Sequence, residues 1–484
     1  MIKAIVFDLD GTLWHTGESY IYAYHKLCDL YGVTERLSDS VIEDCLGVKI
    51  DQVLLKLFPH VEDRELLTYR ALTFAAEYLL MHPDDSCFEN VSLLLCKLAE
   101  TYKVYIVSNC LRGYADTFVR ISATAQYISG IYTIEDGEKT EHLRKIAAAV
   151  DGKLLLVGDS NDDLEALTDP YNQYFCYARY GYKPCDQYDY AISAPMELLD
   201  VLEKIRIKER QIGNQPYRMF SRGDNQITLI RKDERTSYFG YVNYADEDFD
   251  QVVKQLKENS SGRLIGPINA NTYYPYRFAA DNYDWQLYPD CYGKEALVVF
   301  TDNGFRVHKE YYSTLAQVNQ TFRKTVARTT LSDEYKTVIL SGQEVYRHLD
   351  DIYTVAVEAF SDAYLYEPIR REDFIEIYIM ALKNIAPDLV MIYRQEQPVA
   401  FCFCYEDPQK RFYVCKTIAV KKSERRKNII SKLVDCAYTM MEQRGHNTVL
   451  HHYMNLSTKR KIPLFMKNHI RQKKYVLLEF EHDK

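Results

Sequence analysis

The chain opens on a short apolar run, Ala4-Ile5-Val6-Phe7, that stops at Asp8-Leu9-Asp10-Gly11-Thr12. The run reads as a buried strand closed by a polar turn. Side chains two apart on an extended segment point the same way, so Asp8 and Asp10 face one pocket at the strand's C-terminal edge. Open α/β sheets place their chemistry at that edge. Two close carboxylates repel unless a cation lies between them or one keeps its proton. The pair therefore reads as a magnesium site with one nucleophilic and one proton-shuttling aspartate. Taken alone it reads as readily as a strand that ends in a polar turn, so the rest of the chain has to decide.

After Thr12 the apolar spacing turns helical over residues 18–30, 39–45, 50–57 and 62–80, an insert that ends near His82 and Pro83. A second buried strand at 104–107 runs into Ser108, Asn109 and Cys110. A helix is expected from Gly113, then a loop holding Lys139 before another helix. A third strand at 154–157 ends in Gly158-Asp159-Ser160-Asn161-Asp162-Asp163. A parallel sheet with crossover helices gathers these strand ends into one crevice. In it Asp8 is the expected nucleophile on phosphorus, and Asp10 the group that protonates the leaving oxygen and then deprotonates water. Ser108 would hydrogen-bond a phosphoryl oxygen and Lys139 would offset its growing charge. Asp159 would complete a hard-cation oxygen site with Asp8 and the Asp10 carbonyl, with Asp163 in support. Each of these residues also has an ordinary reading, such as a helix-capping serine or a surface lysine.

In order and spacing, these four motifs resemble the haloacid dehalogenase superfamily, in its phosphatase-rich branch with a helical cap of the C1 type. The resemblance covers residues 1–205, with the cap at about 14–83, and implies a Rossmann-like parallel α/β sheet. It further implies Mg2+ held by Asp8, Asp10, Asp159 and Asp163. The phosphate contacts it implies are Ser108, Asn109 and Lys139. Tyr180-Gly181-Tyr182 resembles a turn of phosphoglycolate-phosphatase-like members. Asp10 argues against a dehalogenase, which lacks that second aspartate. Lys49 and Lys56 lie in the cap, where some relatives use a lysine to form a Schiff base; both read here as solvated charges. Trp14-His15-Thr16 departs from the usual apolar-Asp-Ser, and His15 reads as a polar hinge residue ahead of a substrate contact.

From about residue 212 strands and helices alternate in a different order. The last third resembles the GNAT acyltransferase fold through Thr417-Ile418-Ala419-Val420, the run from Arg425 to Leu433, and the stretch from His451 to Ser457. The resemblance implies acetyl-CoA bound by Ile418, Val420, Arg425, Arg426, Asn428, Ile430, Ser431 and Asn455. Two family glycines are replaced by Asn428 and Ile430. A β-branched residue adopts left-handed geometry poorly, which counts against tight CoA binding. The position of the family's acid tyrosine falls near Phe465, with Tyr453 and Tyr475 as alternatives, and His451 or His452 as a base. Residues 212–330, with Gly266-Pro267 and Gly304-Phe305, resemble a second, diverged GNAT half. The expected domains are thus 1–205, 212–330 and 335–484, an α/β fold followed by two GNAT-like α/β domains.

A length of 484 residues fits two to four domains. A formal charge of −9 gives no nucleic-acid footprint. No apolar run approaches the roughly 18 residues of a membrane span, and no secretory leader is expected, since the chain reads as entering a strand at once. The 12 cysteines include no C-x-x-C pair, so a reduced, cytoplasmic protein is expected, with Cys402 and Cys404 as core packing. The leading expectation is a bifunctional enzyme: a phosphomonoester hydrolase fused to an acyl-CoA-dependent N-acyltransferase, acting on a small metabolite. Two alternatives stand beside it. In one the GNAT-like region is a non-catalytic binding or dimerisation module, which leaves a homodimer open; in the other the first domain is a phosphosugar mutase.

Overall fold

The computed structural model describes residues 1–33, 37–43, 45, 50–83, 87–281, 291–318, 320–382, 385–409, 411–454 and 469–482. The chain divides into two compact units, Met1–Thr228 with Ala245–Val252, and Leu229–Tyr244 with Val253–Lys484.

The first unit runs β1 (Ile2–Phe7), α1 (Gly17–Tyr31), α2 (Asp39–Glu43), α3 (Ile50–Leu57), α4 (Arg64–Met81), α5 (Val91–Ala99), β2 (Lys103–Val107), α6 (Arg112–Ser122), β3 (Gly130–Tyr132), α7 (Lys139–Val150), β4 (Lys153–Gly158), α8 (Asn161–Glu165), β5 (Gln173–Ala178), β6 (Tyr190–Ile192) and α9 (Leu198–Ile212). The six strands are all parallel, in the order β3-β2-β1-β4-β5-β6. Phe7 pairs with Ile106 on one side and Val157 on the other. The strand order reverses between β1 and β4, which opens a crevice at their C-terminal ends. Ala4, Val6, Leu154, Leu156 and Phe175 pack with Leu143 and Ile146 of α7. Ala4, Ile5 and Val6 are all fully buried. A strand covered on both faces has no polar alternation, hence the unbroken apolar runs in the sequence.

The cap, α1 to α4, has its own core around Tyr24, Leu27, Val53, Leu54, Leu67 and Ala71. Helix α4 starts later than its apolar spacing suggests because Asp63 caps it, its carboxylate accepting the Leu66 amide at 3.0 Å.

Strand β7 (Tyr217–Arg222) falls in the first unit, and β8 (Asn225–Arg231) and the later helix α10 (Phe249–Glu258) are each divided between the two. The chain continues with β9 (Thr236–Asn243) and α10 (Phe249–Glu258), and the second unit then carries β10 (Arg263–Gly266), β11 (Phe278–Ala279), α11 (Lys294–Asp302), β12 (Arg306–Gln317), α12 (Gln320–Val326), β13 (Tyr335–Ser341), α13 (Leu349–Phe360), α14 (Arg371–Leu382), β14 (Pro387–Arg394), β15 (Gln397–Glu406), β16 (Tyr413–Val420), α15 (Ile429–Gln443), β17 (Thr448–Met454) and β18 (His469–Glu481). Its mixed sheet has the order β13-β14-β15-β16-β17-β12-β18-β10-β9. The long antiparallel pair β12 and β18 joins strands from both stretches, 212–330 and 335–484, in that one sheet. Helix α15 packs Leu433, Val434 and Ala437 into a core with Val390, Cys402, Cys404 and Cys415. The Cys402 and Cys404 thiols are 3.4 Å apart, and Cys404 and Cys415 are 3.7 Å apart.

Candidate active site

Strand β1 delivers Asp8 to the crevice, with its amide donating to the Val157 carbonyl at 2.9 Å. Strand β2 brings Ser108 and Asn109, and β4 brings Asp159 and, through the first turn of α8, Asp163. Lys139 comes from α7. The sequence places it in a loop, but it is the first residue of that helix. Its ammonium lies 2.8 Å from Asp8 Oδ1 and 2.5 Å from Asp163 Oδ1. The other Asp163 oxygen accepts from Ser160 Oγ at 2.8 Å and from the Ser160 amide at 3.2 Å, a capping box that fixes the carboxylate. Asp8, Asp10, Ser108, Asn109, Lys139, Asp159 and Asp163 all line one chamber of about 110 Å³. The seven phosphatase residues named from sequence are therefore in one place.

Two contacts on Asp10 have no mark in the sequence. Tyr114 of α6 donates to Asp10 Oδ1 at 2.9 Å, and Tyr20 of cap helix α1 donates to Asp10 Oδ2 at 3.1 Å. The Tyr180-Gly181-Tyr182 turn closes on Asp159: the Tyr182 amide donates to Asp159 Oδ2 at 2.7 Å, and Tyr182 Oη accepts the Thr16 amide at 2.6 Å. That approach needs Gly181, because a Cβ there would stand 2.1 Å from the Asp159 Cβ. Gly11 is constrained twice, by φ +71° and by a Cβ position 2.2 Å from Asp159 Oδ2. His15 is exposed at the cap hinge, its ring 5.3 Å from Phe88 and 6.4 Å from Tyr182. Lys56 is exposed on α3, and Lys49 lies outside the described residues.

The charges do not balance. Burial pushes Asp8 up to about 7 against the pull of Lys139. Burial also raises Asp10, opposed by hydrogen bonds from Tyr114 and Tyr20. Asp159 is raised well above the carboxylate range by burial, with the Asp163 and Asp8 charges adding to it. Burial alone would lower Lys139, but Asp163 and Asp8 outweigh it and keep the ammonium charged. One lysine thus faces four buried carboxyls, a surplus that a divalent cation would discharge. The donor set fits a hard ion. Oxygens of Asp8, Asp159 and Asp163 lie within 4.8 Å of one another. An octahedral ion with oxygens at about 2.1 Å needs them roughly 3–4.2 Å apart.

In the second unit β16 pairs with β17 only from Tyr413↔Val449 to Cys415↔His451. Beyond that point β16 continues against β15, with Ile418 opposite Cys402 and Val420 opposite Ala400. Strand β17 pairs with β12 along its length, from Thr448 opposite Gln317 to Met454 opposite Tyr312, while its last residues have no partner on β16. The two strands part, and the turn before α15 lies past the parting. Its left-handed residues are Arg426 (φ +68°) and Asn428 (φ +60°). Ile430 instead stands in the first turn of α15, exposed. The sequence-based objection to Ile430 is thereby corrected, since no left-handed geometry is asked of it. Ser431 follows in the same turn. Asn455 and Phe465 lie outside the described residues, as does the Tyr453 side chain. His451, His452 and Tyr475 are buried. His451 is within hydrogen-bond distance of Tyr438 Oη, 3.0 Å.

The basic residues of this turn are largely engaged. Arg425 donates to Asp362 at 3.0 Å and to the Ala359 carbonyl at 2.6 Å. Lys427 bonds Glu424 at 2.8 Å, and Lys421 lies 3.7 Å from Glu358. Burial would raise Glu424, but hydrogen bonds from Lys427, Tyr335 and Arg394 hold it down at about 2.

Residues 5–168 match the family model of haloacid dehalogenase-like hydrolases. This region is a haloacid dehalogenase-like hydrolase domain. Residues 343–467 match the acetyltransferase (GNAT) family, so a GNAT region follows it in the same chain. Pyrophosphatase PpaX of Halalkalibacterium halodurans is 26% identical over 170 residues, covering 34% of this chain and 77% of its own. A haloacid dehalogenase-superfamily hydrolase of Geobacter sulfurreducens (21% identity, TM-score 0.33) covers 42% of this chain and 96% of its own. The hydrolase YfnB of Bacillus subtilis, solved bound to magnesium, has 17% identity and a TM-score of 0.33, and covers 42% and 99%. No described helix is long and apolar enough to cross a membrane.

Proposed function

We propose that the first domain, residues 1–205, hydrolyses phosphomonoesters through a phosphoryl group carried on Asp8. The observation that carries this is Lys139 bridging Asp8 and Asp163 beside Asp159, at the foot of a chamber of about 110 Å³. Asp8 attacks phosphorus while Asp10 gives a proton to the leaving oxygen; Asp10 then takes one from the water that releases phosphate. Tyr20 and Tyr114 hold the Asp10 carboxyl in place for both transfers. Ser108 and Asn109 hold phosphoryl oxygens, and Lys139 offsets their charge. Mg2+ would be held by Asp8, Asp159, Asp163 and the Asp10 carbonyl; when bound, it neutralises phosphoryl oxygens and lets Asp8 approach as an anion. The test is Mg2+-dependent hydrolysis of p-nitrophenyl phosphate by wild type and Asp8→Asn. Equal rates would remove the nucleophile.

For the second unit we infer an acyl-CoA-dependent N-acyltransferase at residues 335–484, with 212–330 as a diverged half. The parting of β16 and β17 supports an acyl-CoA cleft bordered by Ile418 and Val420, with the pyrophosphate at the Asn428–Ser431 turn. Calorimetry with acetyl-CoA tests it, and absence of heat at millimolar ligand would refute it. One observation favours a second reading, a non-catalytic binding module: Lys421, Arg425 and Lys427 are already committed to Glu358, Asp362 and Glu424.

A further inference from the structure

The chamber around Asp8 opens beside a second, far larger cavity. The inner one, about 110 Å³, has room for little more than a phosphoryl group. The outer one, about 1310 Å³, lies between cap helix α4, α6 and the turn before Lys139. Ile50, Leu72 and Asn109 line both. Tyr114, which holds Asp10, also lines the outer cavity. Asp10 is the group that must reach the leaving oxygen, so the alcohol that departs is delivered on the outer side.

The outer wall mixes apolar surface with acid. Leu66, Leu80, Leu111 and Ile134 contribute the apolar part. Glu65, Glu77 and Glu138 line the same space, and no ion pair holds any of the three. Both arginines there are hydrogen-bonded within the domain, but only Arg112 has a carboxylate partner. Arg64 donates to the Leu54 and Phe58 carbonyls at 3.3 and 2.9 Å. Arg112 donates to the Ile131 carbonyl at 2.7 Å and pairs with Asp136 at 2.6 Å. Among the described residues, then, the outer cavity sets one cation without a carboxylate partner, the Arg64 guanidinium held against backbone carbonyls, against five carboxylates, Asp63, Glu65, Glu77, Glu135 and Glu138, that would repel a second phosphate. A cavity above the usual few hundred Å³ is also wasted on a two-phosphorus substrate.

We propose that the substrate is an organic phosphomonoester whose leaving alcohol carries a protonated amine on a part-apolar skeleton, and that inorganic pyrophosphate and bisphosphates are disfavoured. This rests on the phosphatase reading above. It also gives the fusion a chemical sense, because an amine is the group that an N-acyltransferase consumes, and the hydrolysis leaves it intact. Cleavage breaks the P–O bond, passes the phosphoryl group to Asp8 and then to water, and releases an amino alcohol and phosphate. Acylation of that amine is the class of reaction that can follow.

The experiment uses the full chain with Mg2+ and compares kcat/KM for p-nitrophenyl phosphate, inorganic pyrophosphate, aminohexyl phosphate and its N-acetyl derivative. The amine is expected to exceed its N-acetyl derivative by about tenfold and pyrophosphate by about a hundredfold, three exposed carboxylates each adding a modest attraction. In the double variant Glu77→Gln, Glu138→Gln the amine-to-acetyl ratio should fall towards one, through KM rather than kcat. If pyrophosphate matches the amine ester, or the N-acetyl ester matches the free amine, the inference is overturned while the phosphatase reading stands. If wild type is no faster than Asp8→Asn on every ester, the phosphatase reading fails and takes the inference with it.

Discussion

Each unit sets a strand end, a tight turn and a helix N-terminus beside a cluster of charges, and each spends the charges differently. At the end of β1 four carboxyls converge on one lysine, and the surplus is buried. At the end of β16 the cations are shared out: Lys421 to Glu358, Arg425 to Asp362, Lys427 to Glu424. A site built to take up a charged ligand keeps an unspent charge of the opposite sign, because cancelling it in advance removes the attraction. By that measure the first unit keeps a surplus of charge, whereas in the turn of the second three of five cations are already paired and, among the described residues, only Lys422 and Arg426 stand without an ion pair.

The comparison can be broken most directly at Asp8. Replacement by Asn should lower kcat by on the order of 10⁴ or more, as loss of a nucleophile does, and steady-state hydrolysis of an aryl phosphate measures it. Next comes Lys139→Met, where a loss of about 10²–10³ is expected from removing a charge aimed at the phosphoryl oxygens. If Lys139→Met kept full activity, the surplus at β1 would have no catalytic meaning. In the second unit the test is stability. Glu424 is held near 2, below its ordinary value, so its stabilisation is present above about pH 4.5 and is lost as pH falls through about 2. Glu424→Gln should therefore cost roughly 1–3 kcal/mol at neutral pH. The gap from wild type should close in acid, as followed by urea unfolding. Tyr114→Phe should reduce kcat by about tenfold by freeing one Asp10 oxygen, with KM little changed. The smallest effect expected is on CoA. Asp362→Asn releases Arg425, and affinity for CoA should rise about threefold by calorimetry. A wild type that already binds CoA at low micromolar concentration would overturn the contrast.

What the sequence revealed and what it hid follow from where the signal lies. Asp8, Ser108 and Asp159 were legible because each follows a short apolar run, and a parallel sheet brings strand ends together without any knowledge of side-chain packing; Lys139 follows no such run. Tyr20 and Tyr114 were not, since they reach Asp10 from helices 10 and 104 positions away, and in a chain with 42 tyrosines no pattern marks these two. Strand β5 escaped notice although all six residues are buried, because Gln173, Tyr174 and Tyr177 disguise an inward-facing run as a mixed one. In the second unit Asn428 was readable as left-handed because asparagine tolerates that geometry, whereas Arg426 carries no such mark. The difficulty assigned to Ile430 came from aligning it with a glycine. The helix starts at Ile429, and the position needs only helical geometry.

The three thiols beneath α15 have a practical use. Cys402, Cys404 and Cys415 are sealed between helix and sheet, and all 12 cysteines are unbridged. A reagent in solution meets those three only when α15 lifts away. The rate at which an alkylating label appears on the peptide spanning 402–415 is therefore a clock for opening of the acyltransferase-like unit, read by mass spectrometry in the intact chain.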